Sequence, residues 1–214
     1  DIQDAAIEVD PYAVLSNGDP SLLTVRSRHR LLNALRDLEA DNPFFRRADR
    51  RRSFNAAGFF PPDIVDAIRP LIARDSGGDL RTLLLELLAG SPAVPALRAD
   101  LELIILDDNA TPRCRQAALN CLLTDATQLV SLIDPLIASG TTESLRLSAA
   151  IINRIGANQI PRQQLGNLLI ACAALYPTGP RDRHQIIGSR YFLRVLVRDL
   201  DGETTSWLLD EITQ

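Results

Sequence analysis

Lysine and methionine are both missing from the 214 residues of this chain. All 23 basic side chains are therefore arginines, which excludes the lysine of a phosphate-binding loop, a Schiff-base lysine and a lysine general base. The chain starts at Asp1 without an initiator residue, so we expect it to be a segment of a longer protein. The chemistry of that longer protein need not lie within the segment.

Cysteine is scarce, and its three copies, Cys114, Cys121 and Cys172, form no Cys-x-x-Cys motif. An odd number of well-separated cysteines fits a reducing compartment better than a disulfide framework, so we expect a cytoplasmic protein. We interpret the thiols as small apolar groups of the core. The two histidines, His29 and His184, are too remote in sequence to complete a zinc site, so no metal is expected.

Motifs of familiar enzymes are also missing. The sequence contains no Gly-x-Ser-x-Gly, no His-Glu-x-x-His and no glycine-rich phosphate turn. Its net charge of −4 argues against a whole-surface nucleic-acid or membrane binder, and no apolar run approaches the roughly 20 residues of a membrane span. We therefore expect a non-enzymatic chain that binds no cofactor and no membrane.

Hydrophobic residues at helical spacing, separated by short turns, dominate what is present. They make up 46% of the chain, which is enough for a core. The pattern predicts an all-α fold: residues 1–61 form a lead-in, a helix and an aromatic-basic connection, and residues 62–214 form helical repeats. The lead-in, residues 1–21, is expected to be extended, with at most one short helix. Thr24, Asp79 and Thr111 are predicted helix caps, the last with Pro112 at the first helical position.

An internal repeat organises the second region. The hexapeptide that begins at Ile68 recurs at Ile133, and the dipeptide at Leu80 recurs at Leu145, all at an offset of 65 residues without a gap. Helix pairs are predicted at residues 62–90, 95–124, 125–156 and 161–197, followed by a final helix at 203–212. Stacked pairs of this kind share a continuous core, so we expect an elongated α-solenoid.

The turn after residue 107 carries the motif that characterises these pairs. It reads Asp108-Asn-Ala-Thr-Pro112-Arg-Cys-Arg115-Gln-Ala-Ala118-Leu119 and follows an apolar helix. A turn Asp followed by Pro, a small residue, Arg, Ala and Leu resembles a HEAT repeat. The resemblance implies an armadillo/HEAT-like α-solenoid with an N-terminal capping helix. It also implies that Asp108 pairs with an arginine of the same or the next unit, Arg115 being the candidate, as a structural link.

The other units match the HEAT pattern less completely. Pro70 and Pro135 occupy matched positions and are expected to bend the first helices of their pairs. Arg81, Arg115 and Arg146 are assigned to one equivalent position of the second helices, where they either line a surface or pair with Asp. The last unit shows no clear motif.

A second resemblance concerns the segment that begins Asp19-Pro-Ser-Leu-Leu-Thr24 and runs to Leu35. Its Arg- and Leu-rich pattern is similar to the segment between the nucleotide-binding core and the helical repeats of large bacterial NACHT-type signal-transduction NTPases. In those proteins an aromatic and basic connection and HEAT-like units follow in the same order. The resemblance implies that the chain is the sensor or regulatory region of such an NTPase.

The sharpest local concentration of charge lies between Asn42 and Phe60, where five arginines and one aspartate give a net charge of +4. The candidate binding patch consists of Phe44, Phe45, Arg46, Arg47, Arg50, Arg51 and Arg52. Three interpretations stay open. The phenylalanines plug the end of the solenoid while the arginines are solvated or pair with acidic repeats; the patch binds an acidic protein surface; or it binds nucleic acid through phosphate charge and base stacking.

The repeats and the missing catalytic motifs favour a protein-interaction or scaffolding module, whose partner is another protein or a neighbouring domain of the same chain. The alternative function is that of a nucleic-acid-binding HEAT-like domain with an Arg-rich surface. Trp207, on the final helix, is expected to face a further unit rather than to serve as a stacking platform.

Overall fold

A computed structural model describes residues 2–17, 19–41, 60–73, 78–175, 198 and 200–212. These residues lie in helices and turns, and no strand occurs among them. The prediction of an all-α fold is therefore confirmed for this part of the chain. The chain divides into two compact units, Asp1–Thr124 and Asp125–Gln214.

The first unit contains seven α-helices within the described ranges. They are α1 (Ile2–Val9), α2 (Pro11–Asn17), α3 (Val25–Asp41), α4 (Val65–Ile72), α5 (Asp79–Leu88), α6 (Arg98–Leu106) and α7 (Pro112–Leu122), with 3-10 turns at Pro20–Leu22, Pro62–Ile64 and Val94–Leu97. The extended lead-in predicted for residues 1–21 is wrong, because α1 and α2 occupy most of it. Both helices pack on α3 and bury Ile7 and Leu15, and such burial stabilises helices that are too short to be stable alone.

Polar contacts hold α1 against the start of α3. Asp4 Oδ2 lies 2.9 Å from Arg30 Nη1, and Ser27 Oγ donates a hydrogen bond of 3.1 Å to Asp4 Oδ1. Thr24 Oγ1 accepts a hydrogen bond of 3.2 Å from Ser27 N, which confirms Thr24 as the predicted cap.

The two other predicted caps have different outcomes. Thr111 Oγ1 accepts a hydrogen bond of 3.3 Å from Cys114 N at the start of α7, so this cap is confirmed. Asp79 is not a cap, since it is the first residue of α5 and the N-cap position belongs to Gly78. Glycine has no side chain that could accept a hydrogen bond, and Glu39 of α3 supplies the missing acceptor from outside the helix.

The second unit contains four α-helices among its described residues. They are α8 (Ile133–Ser139), α9 (Thr142–Ile155), α10 (Arg162–Ala174) and α11 (Gly202–Ile212). The continuous helix expected over 126–138 is interrupted: residues Leu123–Leu132 form 3-10 turns, and Asp125 has non-helical backbone angles (φ −123°, ψ 58°). The second helix expected for the fourth pair, at 182–197, lies outside the described residues.

Helices in each unit pack as neighbouring pairs. In the first unit α4 packs on α5 and α6 packs on α7, while α5 also contacts α7 directly. In the second unit α8 packs on α9, and α10 contacts both. Trp207 of α11 does not face outward, because it is half-buried and a Cβ built on Gly166 of α10 would lie 3.1 Å from its ring. The expectation that Trp207 faces a further unit is therefore not met.

The second helices of three pairs bury the same pattern of positions. The shared positions are Leu80, Arg81, Leu83, Leu84, Leu85, Leu87 and Leu88 in α5, Cys114, Arg115, Ala117, Ala118, Leu119, Cys121 and Leu122 in α7, and Ser144, Leu145, Leu147, Ser148, Ala149, Ile151 and Ile152 in α9. Thr82 is an additional buried residue of α5.

This pattern corrects the ungapped register of 65 residues. Ile68 and Ile133 are both buried in the first helices and keep that offset. In the second helices the buried face of α9 starts at Ser144, one residue earlier than the offset requires, because the turn between α8 and α9 is one residue shorter. Arg146 is therefore not equivalent to Arg81, and its side chain is 54% exposed.

Candidate functional site

The Arg-rich patch identified in the sequence lies outside the described residues. This applies to all of its members, Phe44, Phe45, Arg46, Arg47, Arg50, Arg51 and Arg52. Its role stays a prediction, and the candidate site developed below uses the described residues of the first unit.

Arg81 and Arg115 are buried and bind main-chain carbonyls at helix ends. Arg115 Nε donates a hydrogen bond of 2.8 Å to Ile105 O, and Arg81 Nε donates one of 3.1 Å to Ile72 O. The last carbonyls of a helix have no partner within the helix, so each guanidinium satisfies an acceptor that the first helix of its own pair leaves open. These two arginines therefore join the two helices of a pair and do not line an accessible surface.

Asp108 completes the link in the second pair. Its Oδ1 lies 2.9 Å from Arg115 Nη1, and the Asp108 side chain is 44% exposed while that of Arg115 is 3% exposed. Pro112 is the first residue of α7 and stands between these two partners in sequence. The arrangement is an ion pair within one helix pair, the local role that the HEAT resemblance implied.

The remaining repeat positions lie on the surface. Arg146 Nη1 contacts Glu143 Oε2 at 3.3 Å within α9 and binds no helix end. Pro70 in α4 and Pro135 in α8 are both exposed. No chemistry is indicated at any of the three positions.

Two ion pairs connect the consecutive helix pairs of the first unit. Arg69 Nε of α4 lies 3.1 Å from Asp100 Oδ2 of α6, and Arg69 Nη2 donates a hydrogen bond of 3.2 Å to Ala96 O. On the other side of the unit Arg113 Nε of α7 lies 2.7 Å from Glu86 Oε1 of α5. The first helices are thus bridged by long side chains, whereas α5 and α7 touch directly.

The two outer faces of these pairs differ in polarity. The outward positions of α4 and α6 include the exposed residues Pro70, Ala73 and Leu103, and Leu103 is 70% exposed. On α7 the corresponding outward side chains are polar, and Gln116 Nε2 donates a hydrogen bond of 3.0 Å to Asn120 Oδ1. A large apolar side chain at an outward helix position costs solvation, so the α4–α6 face is the candidate binding surface of the first unit.

A groove of about 550 Å³ runs between α4 and α6. Its walls are largely apolar and its rim is acidic. The lining residues on which the argument depends are Ile72, Ala73, Leu103, Asp100, Asp107 and Asp108. This volume is within the range of pockets that bury a small ligand or one or two side chains of a partner.

A second groove, of about 560 Å³, lies on the opposite side of α4, where α3 provides its other wall. His29, Asn33 and Arg36 line it along one stripe of α3, facing Pro70 and Leu71 of α4. Arg36 contacts the neighbouring Asp37 at 3.2 Å. The mixed charges and the absence of a buried polar cluster make this groove the weaker candidate among the described surfaces.

The three thiols are buried, as predicted. Burial raises the pKa of Cys121 to about 12 and that of Cys172 to about 11, so both stay protonated and inert at neutral pH. Cys121 Sγ donates to Leu85 O at 3.1 Å, which places it in the contact between α7 and α5. Nothing in these environments indicates a nucleophile.

One stretch meets the length and composition of a membrane span. Residues Pro112–Ser139 extend over 28 residues with a mean hydropathy of 1.3 in their most apolar window, a property that the search for long apolar runs in the sequence missed. The stretch is not one α-helix, since α7 ends at Leu122 and Asp125 breaks the backbone. It also contains the buried Arg115 and packs on α5 and α6, as a core helix does.

Neither metal chemistry nor relatives add to this picture. No group of three or more His, Cys, Asp or Glu side chains is placed to hold a metal ion within the described ranges. No family model, no curated protein and no solved structure matches the chain. The candidate surface between α4 and α6 therefore depends on its own geometry. The sequence analysis missed its central residue, Leu103, although an apolar residue on the outward side of an amphipathic helix is a signal that sequence inspection can find.

Proposed function

We propose that the chain is a non-enzymatic protein-interaction module, built from HEAT-like helix pairs, that binds a partner protein on the face formed by α4 and α6. The observation that carries this proposal is the polarity difference between the two outer faces, with Leu103 exposed on one and Asn120 on the other. Protein-binding surfaces are centred on apolar side chains that the partner removes from water.

The HEAT-like part of the proposal is supported by the first two pairs. Arg81 and Arg115 make the same link to the end of the preceding helix, although they are 34 positions apart in sequence. An identical contact made by two successive pairs is expected of a repeat, in which each pair packs mainly against its neighbours.

The wider setting is also a proposal. A cytoplasmic module of this kind would act as the sensor or regulatory region of a bacterial NACHT-type NTPase, with partner binding changing the state of a neighbouring nucleotide-binding core. This part is tested by the longer reading frame: a phosphate-binding loop upstream of Asp1 supports it, and an upstream sequence without any nucleotide-binding motif contradicts it.

Photo-crosslinking tests the binding face. A benzoylphenylalanine is placed at Leu103 in one variant and at Asn120 in a matched control, and each is irradiated in cells of the source organism. We expect a specific protein adduct from position 103 and none from position 120. The captured protein is then purified and titrated with the unmodified chain, Leu103→Asp and Asn120→Asp, and the Leu103 variant should bind about tenfold more weakly or worse. Adducts from position 120 alone, or equal loss in both variants, would contradict the proposal.

Nucleic acid is the competing partner. The accessible charges in the groove between α4 and α6 are carboxylates, which repel phosphate. A titration of the chain with duplex DNA should therefore show no salt-dependent binding that depends on this face. Binding that strengthens at low salt and weakens when the arginines at 46–52 are neutralised would favour the nucleic-acid function instead.

A further inference from the structure

The groove between α4 and α6 contains an apolar wall that reaches solvent. Leu103 is 70% exposed on this wall, and Ile72 and Ala73 at the end of α4 stand on the other side of the groove. A branched aliphatic side chain of a partner placed here would be removed from water on two sides. Such burial contributes roughly 25 cal/mol for each Å² of apolar surface.

Burial sorts the charged side chains of this groove by sign. The side chains of Asp100 and Asp108 remain 32% and 44% exposed. Arg81 and Arg115 are buried, with their Nε atoms bonded to the carbonyls of Ile72 and Ile105. Although arginines stand next to the carboxylates, the charge that an incoming partner meets is negative.

From this pairing of an apolar wall with exposed carboxylates, we propose that the groove binds a cationic amphipathic helix of the partner protein. One leucine-like side chain of that helix packs on Leu103, and an arginine or lysine one turn away lies beside Asp100 and Asp108. Residues one turn apart share a helix face, so one helix can present both groups to the groove. An acidic or phosphorylated segment would meet like charges. This inference depends on the proposed function, because it assigns the chemistry of the occupant to the same face.

The first experiment uses three synthetic helical dodecapeptides labelled with fluorescein. The probe carries leucine and arginine one turn apart, the second peptide has glutamate in place of every arginine, and the third has serine in place of every leucine. Titration with the whole chain should give a dissociation constant of about 0.1–1 mM for the probe, as expected of an isolated peptide. The other two peptides should bind at least about fivefold more weakly. No binding of the probe at about 1 mM chain, or equal binding of the arginine and glutamate peptides, would overturn the proposal.

Substitutions in the chain then test each contact. Asp100→Asn should weaken the probe about two- to fivefold, and Leu103→Ser should remove measurable binding. Arg69→Gln should have the opposite effect, about two- to fivefold tighter binding, because Arg69 competes with the probe for the Asp100 carboxylate. Asn120→Ser on α7 is the matched control and should leave binding unchanged. All variants are first compared by thermal melting, so that loss of folding is not mistaken for loss of binding.

The failure of this inference and the failure of the proposed function give different results. If the partner captured through position 103 depends on Leu103 but is unaffected by Asp100→Asn and by salt, the cationic occupant is overturned and the binding face stands. If no partner is captured through position 103, the binding face itself is overturned.

Discussion

Glu39 Oε1 accepts a hydrogen bond of 2.6 Å from the backbone N of Leu80, 41 positions further along the chain. This contact places a carboxylate of α3 at the N-terminus of α5, where unpaired N–H groups and the helix dipole both favour a negative charge. Gly78 makes the approach possible: its φ is +109°, and a Cβ built on it would lie 2.5 Å from Glu39 Oε1. The N-terminal helices are therefore fastened to the first helix pair through a cap that α5 does not contain.

Removing this cap should lower stability. Glu39→Ala is expected to reduce the free energy of unfolding by about 1–2 kcal/mol, because Leu80 N loses its acceptor. Glu39→Gln retains an acceptor oxygen and loses only the charge, so its effect should be smaller. Urea unfolding monitored by circular dichroism measures both, and equal stability of all three proteins would contradict the cap.

Gly78→Ala should cost more than a strained glycine normally does. A left-handed φ alone costs a residue with a Cβ about 1–2 kcal/mol. Here the collision with Glu39 adds to that cost. Gly90 is the matched control, since its φ is +78° and nothing lies within 4 Å of a Cβ built on it. We expect Gly78→Ala to exceed Gly90→Ala in the intact chain and to match it in the Glu39→Ala background, a coupling that a double-mutant cycle measures.

The beginning of α5 also shows where sequence reasoning stops. Thr24 and Thr111 were recognisable as caps because cap and capped residue lie three positions apart and the hydroxyl sets the local backbone. Asp79 presented the same local signal, yet the cap came from a residue 41 positions away. A contact of that range depends on how α3 packs, and periodicity within α3 or α5 does not contain it.

Arg115 and Arg146 should differ sharply, although the sequence aligned them. Arg115→Ala leaves Ile105 O and Asp108 without their buried donor and opens a cavity, so we expect a loss of roughly 2–4 kcal/mol. Arg146→Ala removes one exposed contact with Glu143 and should change stability by at most about 0.5 kcal/mol. Chemical unfolding of both variants checks the contrast. A small effect at Arg115, or a comparable effect at Arg146, would show that the register read from the buried positions is wrong.

The register explains why an ungapped repeat was partly misleading. The hydrophobic residues of the first helices, Ile68 and Ile133, stayed in phase at 65 residues. One residue fewer in the turn before α9 moved every buried position by about 100° around the helix relative to that offset. The Leu-Arg dipeptide still matched by letter, so identity alone could not reveal that Leu145, and not Arg146, takes the buried place.

Stability should fall at alkaline pH because of the buried thiols. Burial raises the pKa of Cys121 to about 12, whereas the thiol of the unfolded chain ionises near 9. Below pH 9 the thiol is neutral in both states and contributes no pH dependence. Above pH 9 the unfolded chain releases a proton that the folded chain retains, so the free energy of unfolding decreases as pH rises. Cys121→Ser keeps a donor for Leu85 O and does not titrate in this range. The variant should therefore lose less stability than the unmodified chain between pH 9 and 11, measured by urea unfolding, and identical slopes would contradict the assignment.

The contact between α10 and α11 can be followed through the single tryptophan of the chain. Trp207 is half-buried, and a Cβ built on Gly166 would lie 3.1 Å from its ring, so a larger side chain at Gly166 must displace the indole. Gly166→Leu should shift the emission of Trp207 to longer wavelength, as the ring moves into water, and lower stability by about 1–3 kcal/mol. Gly202→Ala is the control, because nothing lies within 4 Å of a Cβ built there and alanine favours the helix. If α11 did not rest on α10, Trp207 would emit as a solvated indole in the unmodified chain and neither substitution would change its spectrum.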